Sequence, residues 1–117
     1  MSTGPEELRD RTKSFAIRIV RLYRSLPRTA DSQVVGKQLL LCGTSVAANY
    51  RPACRGRFRA EWIAKIGLVV EEADETVFWL ELLAESGIVK PEKLSDLLAE
   101  GNQLLAIFSA ARSTAKA

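Results

Sequence analysis

The chain has 117 residues, about the size of one domain, with 47 % apolar and 26 % charged side chains and a formal charge of +3. That balance excludes a disordered tail, a collagen-like repeat and a disulfide-stapled mini-protein. Histidine is absent, which removes the commonest general base, the commonest metal ligand and every triad built on imidazole.

Four stretches without strand alternation follow one another. The first runs from about Glu6 to Leu26. Leu8, Thr12, Phe15, Ile19, Leu22 and Leu26 recur at three and four and make one helical stripe. Pro5 suits a first helical turn, Glu6 and Glu7 suit its positive end, and Pro27 stops it. The second runs from about Ser32 to Cys54, with Asp31 or Ser32 expected as its cap. Val35, Leu39, Cys42, Val46, Tyr50 and Ala53 form its seam, but Val34, Leu40, Leu41, Ala47 and Ala48 lie elsewhere on the wheel. A helix apolar nearly all round needs cover on more than one face. The third runs from about Phe58 to Ser86, with Phe58, Trp62, Ile66, Val69, Val70, Ala73, Val77, Leu80 and Ala84 as its core stripe. Gly87 is its expected terminator. The fourth runs from about Pro91 to Arg112, on Leu94, Leu97, Leu98, Gly101, Leu104, Leu105, Phe108 and Ala111. The short link between the last two predicts antiparallel neighbours.

The expected architecture is all-α: an antiparallel up-and-down four-helix bundle over residues 6–112, with flexible termini at 1–5 and 113–117. The longest apolar stretch, Val34 to Tyr50, is broken by Gly36, Lys37, Gln38, Gly43 and Asn49, which argues against a membrane span. Acidic Glu6, Glu7 and Asp10 argue against a signal peptide, and the expected compartment is cytoplasmic. Leu68, Phe78, Trp79 and Leu82 crowd one sector away from the core of the third helix, and Ile17 and Val20 lie off the stripe of the first. This surplus predicts a subunit interface in a homomeric, cyclic oligomer.

The charge is uneven. Residues 1–60 hold twelve Lys/Arg against four Asp/Glu; residues 61–117 hold five against ten. Ten of the first twelve are arginine, the residue suited to phosphate and to interfacial carboxylates. Arg11, Arg18, Arg21 and Arg28 cluster along the first helix. Arg51, Arg55 and Arg57 crowd the junction after the second, interleaved with Tyr50 and Phe58. Such a pattern is what nucleic-acid binding needs. The same arginines equally suit pairing with Glu61, Glu71, Glu72 and Glu75, within the domain or between subunits. Without histidine, the run Glu71, Glu72, Asp74, Glu75 does not read as a di-iron site. Asn49 is expected to satisfy backbone freed by Pro52. Cys42 and Cys54 read as reduced thiols. No nucleophile–base pair, phosphate-cradling loop or carboxylate dyad is present, so no catalytic residue, cofactor or metal is assigned.

The stretches Ser45-Val46-Ala47-Ala48-Asn49-Tyr50-Arg51, Ala60-Glu61-Trp62-Ile63-Ala64-Lys65-Ile66, Glu71-Glu72-Ala73-Asp74-Glu75-Thr76 and Trp79-Leu80-Glu81-Leu82-Leu83 resemble the bacterial four helix bundle proteins. These are also called intervening-sequence proteins, after reading frames inside large-subunit ribosomal RNA genes. The resemblance spans about residues 8–110. Asn49-Tyr50-Arg51 departs from the commoner family form, in which an acidic residue and a glycine follow the asparagine. The resemblance implies an antiparallel bundle assembled as a homopentamer. It is also similar to the accessory protein of diversity-generating retroelements, a basic pentameric barrel that binds nucleic acid and a reverse transcriptase. The implied partners are thus a second copy of the chain, RNA or DNA, and a nucleic-acid enzyme such as a reverse transcriptase, with no membrane. The expected function is a non-enzymatic oligomer that binds nucleic acid through arginine; the rival is a protein-interaction scaffold whose basic and acidic faces meet between subunits.

Overall fold

A computed structural model describes residues 4–117. Four helices follow in chain order: α1 (Pro5–Ser25), α2 (Ala30–Ala53), α3 (Arg59–Glu85) and α4 (Pro91–Lys116). They form the expected antiparallel bundle, 45 × 26 × 22 Å in extent. Sequential neighbours pack along much of their length, while α1 closes on α4 over a shorter seam. Helices α1 and α3 are diagonal, their backbones held apart across the core.

Local chemistry sets each boundary. Pro5 opens α1 with Glu6 and Glu7 in its first turn. Pro27 forces Leu26 into the extended region (φ −70°, ψ 148°), which ends the helix. Helix α2 begins two residues before the expected start. Thr29 is its N-cap and makes no side-chain capping bond; its hydroxyl donates to Asp31 Oδ1 at 2.6 Å. Asp31 instead accepts the Ser32 N–H at 2.8 Å from within the first turn. These bonds hold the exposed Asp31 carboxyl below its ordinary pKa, the Thr29 hydroxyl contributing most. Pro52 lies in the last turn of α2, where the missing N–H ends the ladder within two residues. Gly87, at φ 79°, supplies the left-handed residue that turns the chain from α3 toward α4.

Helix α4 runs four residues beyond its expected end at Arg112. The guanidinium of Arg59 explains the extension, donating to the Ala115 carbonyl at 2.6 Å and the Ala117 carbonyl at 2.8 Å. A cation on the last carbonyls is a C-terminal cap. Of the termini expected to be flexible, residues 1–3 lie outside the described residues.

The core stripes pack as read, with Leu8, Phe15, Ile19, Leu39, Val46, Ile66, Val69, Leu80, Leu94, Leu104 and Phe108 buried. Tyr50 is 1 % exposed and sets its ring against Phe108 at 5.0 Å and Trp62 at 6.4 Å between centroids. Phe58 is the exception among core expectations. It is the N-cap residue of α3 and is 66 % exposed. Helices α1 and α2 approach closely where glycine faces Ile19: a Cβ on Gly43 would sit 3.0 Å from both Ile19 γ-carbons. No helix among the described residues is long and apolar enough to cross a membrane.

Candidate nucleic-acid interface

The structure sorts the basic residues of α1 onto two flanks. At 100° per residue, Arg9 and Arg11 point in nearly opposite directions. Arg11 faces α4, where its Nε donates to Glu100 Oε2 at 3.1 Å and its terminal nitrogen donates to Glu100 Oε1 at 2.6 Å. It also donates to Gln103 Oε1. The hydrogen bond to Glu100 raises the Arg11 pKa above the ordinary arginine value. Arg11, expected as a phosphate contact, therefore ties α1 to α4 and has its guanidinium engaged by a carboxylate. Arg18 is two turns along the same flank and half-buried; Arg21 and Arg28 are exposed.

The other flank carries a basic groove. Arg9 and Lys13, one turn apart on α1, face Arg51 on α2. Thr44, Ala47, Ala48 and one carboxylate, Asp10, line the groove with them, and its volume is about 570 Å³. Small floor residues bring the two helix backbones together and leave the long cations as walls. Sequence reading missed Arg9 and Lys13, although their i, i+4 spacing beside Ala16 was a usable signal. Arg51, Arg55 and Arg57 are exposed. Among the described residues, none of Arg9, Lys13, Arg18, Arg21, Arg28, Arg51, Arg55 and Arg57 makes an ion pair.

Three carboxylates of the acidic half have partners elsewhere within the chain: Glu100 on Arg11, Glu72 on Asn49 and Glu61 on the backbone of Arg57. Glu72 accepts from Asn49 Nδ2 at 2.7 Å, so Asn49 bridges α2 to α3 instead of satisfying the backbone near Pro52. Glu61 accepts the backbone N–H of Arg57 at 3.2 Å. Glu71 and Glu75 border a shallow hollow of about 230 Å³ with Leu41, Cys42 and Leu68. Burial raises the pKa of the free Cys42 thiol. Tyr50, expected to interleave with the arginines, is buried and offers no ring to a ligand.

The apolar residues expected at an interface also divide. Leu68 and Phe78 are exposed on α3, and Ile17 is exposed on the diagonal helix α1. Leu82 and Val20 are half-buried. Trp79 packs against its own core and stacks edge-on with Phe78 at 4.9 Å. Its indole N–H is buried and has no acceptor among the described residues. Val34 and Leu41 on α2, 64 % and 66 % exposed, were not placed in this set from sequence.

Residues 7–110 match the model of the family described as 23S rRNA-intervening sequence protein. Among solved structures, the chain is similar to a protein of unknown function from the S23 ribosomal protein family of Bacteroides thetaiotaomicron. The two share 31 % identity over 93 % of this chain and 97 % of that one, with a TM-score of 0.85. Comparison with curated proteins gave no match. A family match over most of the length and a shared bundle agree, and the chain belongs to the 23S rRNA-intervening sequence protein family.

Proposed function

We propose that the chain is a non-enzymatic, homo-oligomeric bundle that binds RNA or DNA through its arginine surface without reading sequence. One observation carries this reading: the exposed cations of the first 60 residues are not spent on the acidic half of the same chain. Arg9, Lys13 and Arg51 line one groove, and Arg55 and Arg57 continue the positive surface at its end. Guanidinium groups free of carboxylate are available to phosphate oxygens, which position a nucleic acid but carry no sequence information.

Assembly is supported by the divided apolar surface. Leu41, Leu68 and Phe78 lie beside acidic Glu71 and Glu75, whereas Ile17 lies among Lys13, Arg18 and Arg21. Two different patches with opposite surroundings suit a head-to-tail contact, and a head-to-tail contact that closes makes a ring.

The test is a fluorescence-anisotropy titration with labelled RNA and DNA at two salt concentrations. Six to ten phosphate contacts lose about 10³ to 10⁵ in affinity between about 50 and 200 mM salt. Binding with such a slope, weakened by Lys13→Glu with Arg51→Glu or by Arg18→Glu with Arg21→Glu, supports the reading. Absence of binding at low salt overturns it and leaves a protein scaffold whose arginines meet carboxylates between subunits.

A further inference from the structure

The segment between α2 and α3 reads Arg55-Gly56-Arg57-Phe58-Arg59. The fold makes little use of the Phe58 ring. It occupies the N-cap position of α3, where Ser, Thr, Asp or Asn is favoured, and it makes no capping bond. It is not a core residue, being 66 % exposed. Its backbone alone serves the fold, its carbonyl accepting the Trp62 N–H at 3.1 Å. One side of the ring borders a hollow of about 310 Å³ shared with Pro5, Cys54, Arg57 and Trp62.

The surroundings state which chemistry suits that ring. Arg55 and Arg57 are exposed and without ion pairs among the described residues. Arg59 also borders that hollow, but its guanidinium donates to the carbonyls of Ala115 and Ala117, so it is less available to an anion than its neighbours. An exposed aromatic ring on the same short loop as two exposed guanidinium groups, Arg57 bordering the same hollow, suits a base with its neighbouring phosphates. Only an unpaired base offers its face; in a duplex the faces are stacked on one another and only edges show.

From this placement we propose that the loop between α2 and α3 is a single-strand nucleic-acid contact, with Phe58 stacking on an unpaired base and Arg55 and Arg57 holding the flanking phosphates. The proposal rests on the nucleic-acid reading above and narrows it to single strands. The α1–α2 groove then contributes backbone attraction that any polyanion feels, and the loop contributes the preference.

The experiment compares a labelled oligoadenylate single strand with a hairpin duplex of equal phosphate number, at one low salt concentration, for the wild-type chain, Phe58→Ala and Phe58→Trp. Stacking of one base predicts a loss of about 5- to 160-fold for Phe58→Ala on the single strand. Duplex affinity stays unchanged, and Phe58→Trp binds the single strand at least as tightly as wild type. A single strand of abasic sugar-phosphates removes the difference between wild type and Phe58→Ala. Equal loss on both probes, or no loss on either while wild type binds both, overturns the stacking assignment and leaves the broader reading standing. A fall in particle mass for Phe58→Ala without a change in affinity also overturns it, and makes Phe58 a subunit contact. No binding of either probe by wild type overturns both proposals together.

Discussion

Two glycines on α2 invite the same substitution and should answer oppositely to what distance alone suggests. A Cβ added at Gly36 would lie 2.6 Å from Leu26 Cδ1 and 3.1 Å from a Tyr23 ring carbon; one added at Gly43 would lie 3.0 Å from Ile19 Cγ1 and Cγ2. Gly36 has the shorter contact, but the clashing atom is the tip of a flexible side chain at the α1 C-terminus, and the Tyr23 ring is half-buried and can tilt. Ile19 is fully buried in mid-helix and stiff at χ1. Either alanine gains about 1 kcal/mol from helix propensity. At Gly43, overpacking costs about 1–3 kcal/mol, so Gly43→Ala is destabilising by up to about 2 kcal/mol. At Gly36 relaxation offsets most of the clash, and Gly36→Ala falls between neutral and about 1 kcal/mol stabilising. The assay is urea unfolding followed by circular dichroism at one fixed protein concentration, since the proposed assembly would make the midpoint concentration-dependent. Ile19→Ala removes both clashing carbons. Its cost combined with Gly43→Ala should therefore be less than additive by at least about 0.5 kcal/mol. A Gly36→Ala variant less stable than Gly43→Ala, or strict additivity with Ile19→Ala, would refute the reasoning.

Arg11→Ala should cost about 1 kcal/mol in urea unfolding through loss of the bidentate tie to Glu100, while leaving nucleic-acid affinity unchanged at matched salt; Arg51→Ala should do the reverse. Stability should fall on the alkaline side. Burial raises the pKa values of Cys42 and Tyr50 above their ordinary values of 9.0 and 10.0, and Cys54 adds to the shift at Tyr50. The folded state then keeps protons that the unfolded chain releases, so stability is whole below about pH 9 and declines above it. Tyr50→Phe should flatten that decline in urea midpoints measured across pH. Phe78→Asp should shift the particle to smaller mass in light scattering with helix content retained. Unchanged mass would place Phe78 on open surface.

The bundle itself was legible because each stripe repeats at three and four and each break carries its own chemistry. Pro27 and Gly87 act through backbone rules that no tertiary contact overrides. Boundaries set by distant partners were not legible. The end of α4 depends on Arg59, more than 50 positions away, and no local signal announces that bond. Asn49 failed for the same reason, its partner Glu72 being on another helix. Phe58 failed because periodicity cannot distinguish the first core residue of a helix from the residue just outside it. For the candidate site, the count of arginines was legible but not their disposition. A wheel shows that Arg9 and Arg11 diverge, yet which flank meets α4 and which borders α2 is decided by the handedness of the bundle.

That handedness gives α1 two electrostatic roles. On the α4 side, Arg11 pairs with Glu100, with Glu7 also nearby, and its charge is largely taken out of the surface field. On the α2 side, no carboxylate of the second half reaches Arg9, Lys13 or Arg51, because α3 and its glutamates lie beyond α2. The modest net charge of +3 therefore understates the local field: opposite charges are separated across the bundle instead of cancelled within it. Such a separation has two physical uses, head-to-tail association and capture of a polyanion, and both draw on the same basic flank. The α2–α3 loop is separate from the patch around Ile17. In the proposed assembly, Arg55, Arg57 and Phe58 would therefore remain available with the middle of α1 covered by a neighbouring copy, and the loop, more than the groove, is where the proposed association and the proposed single-strand contact are compatible.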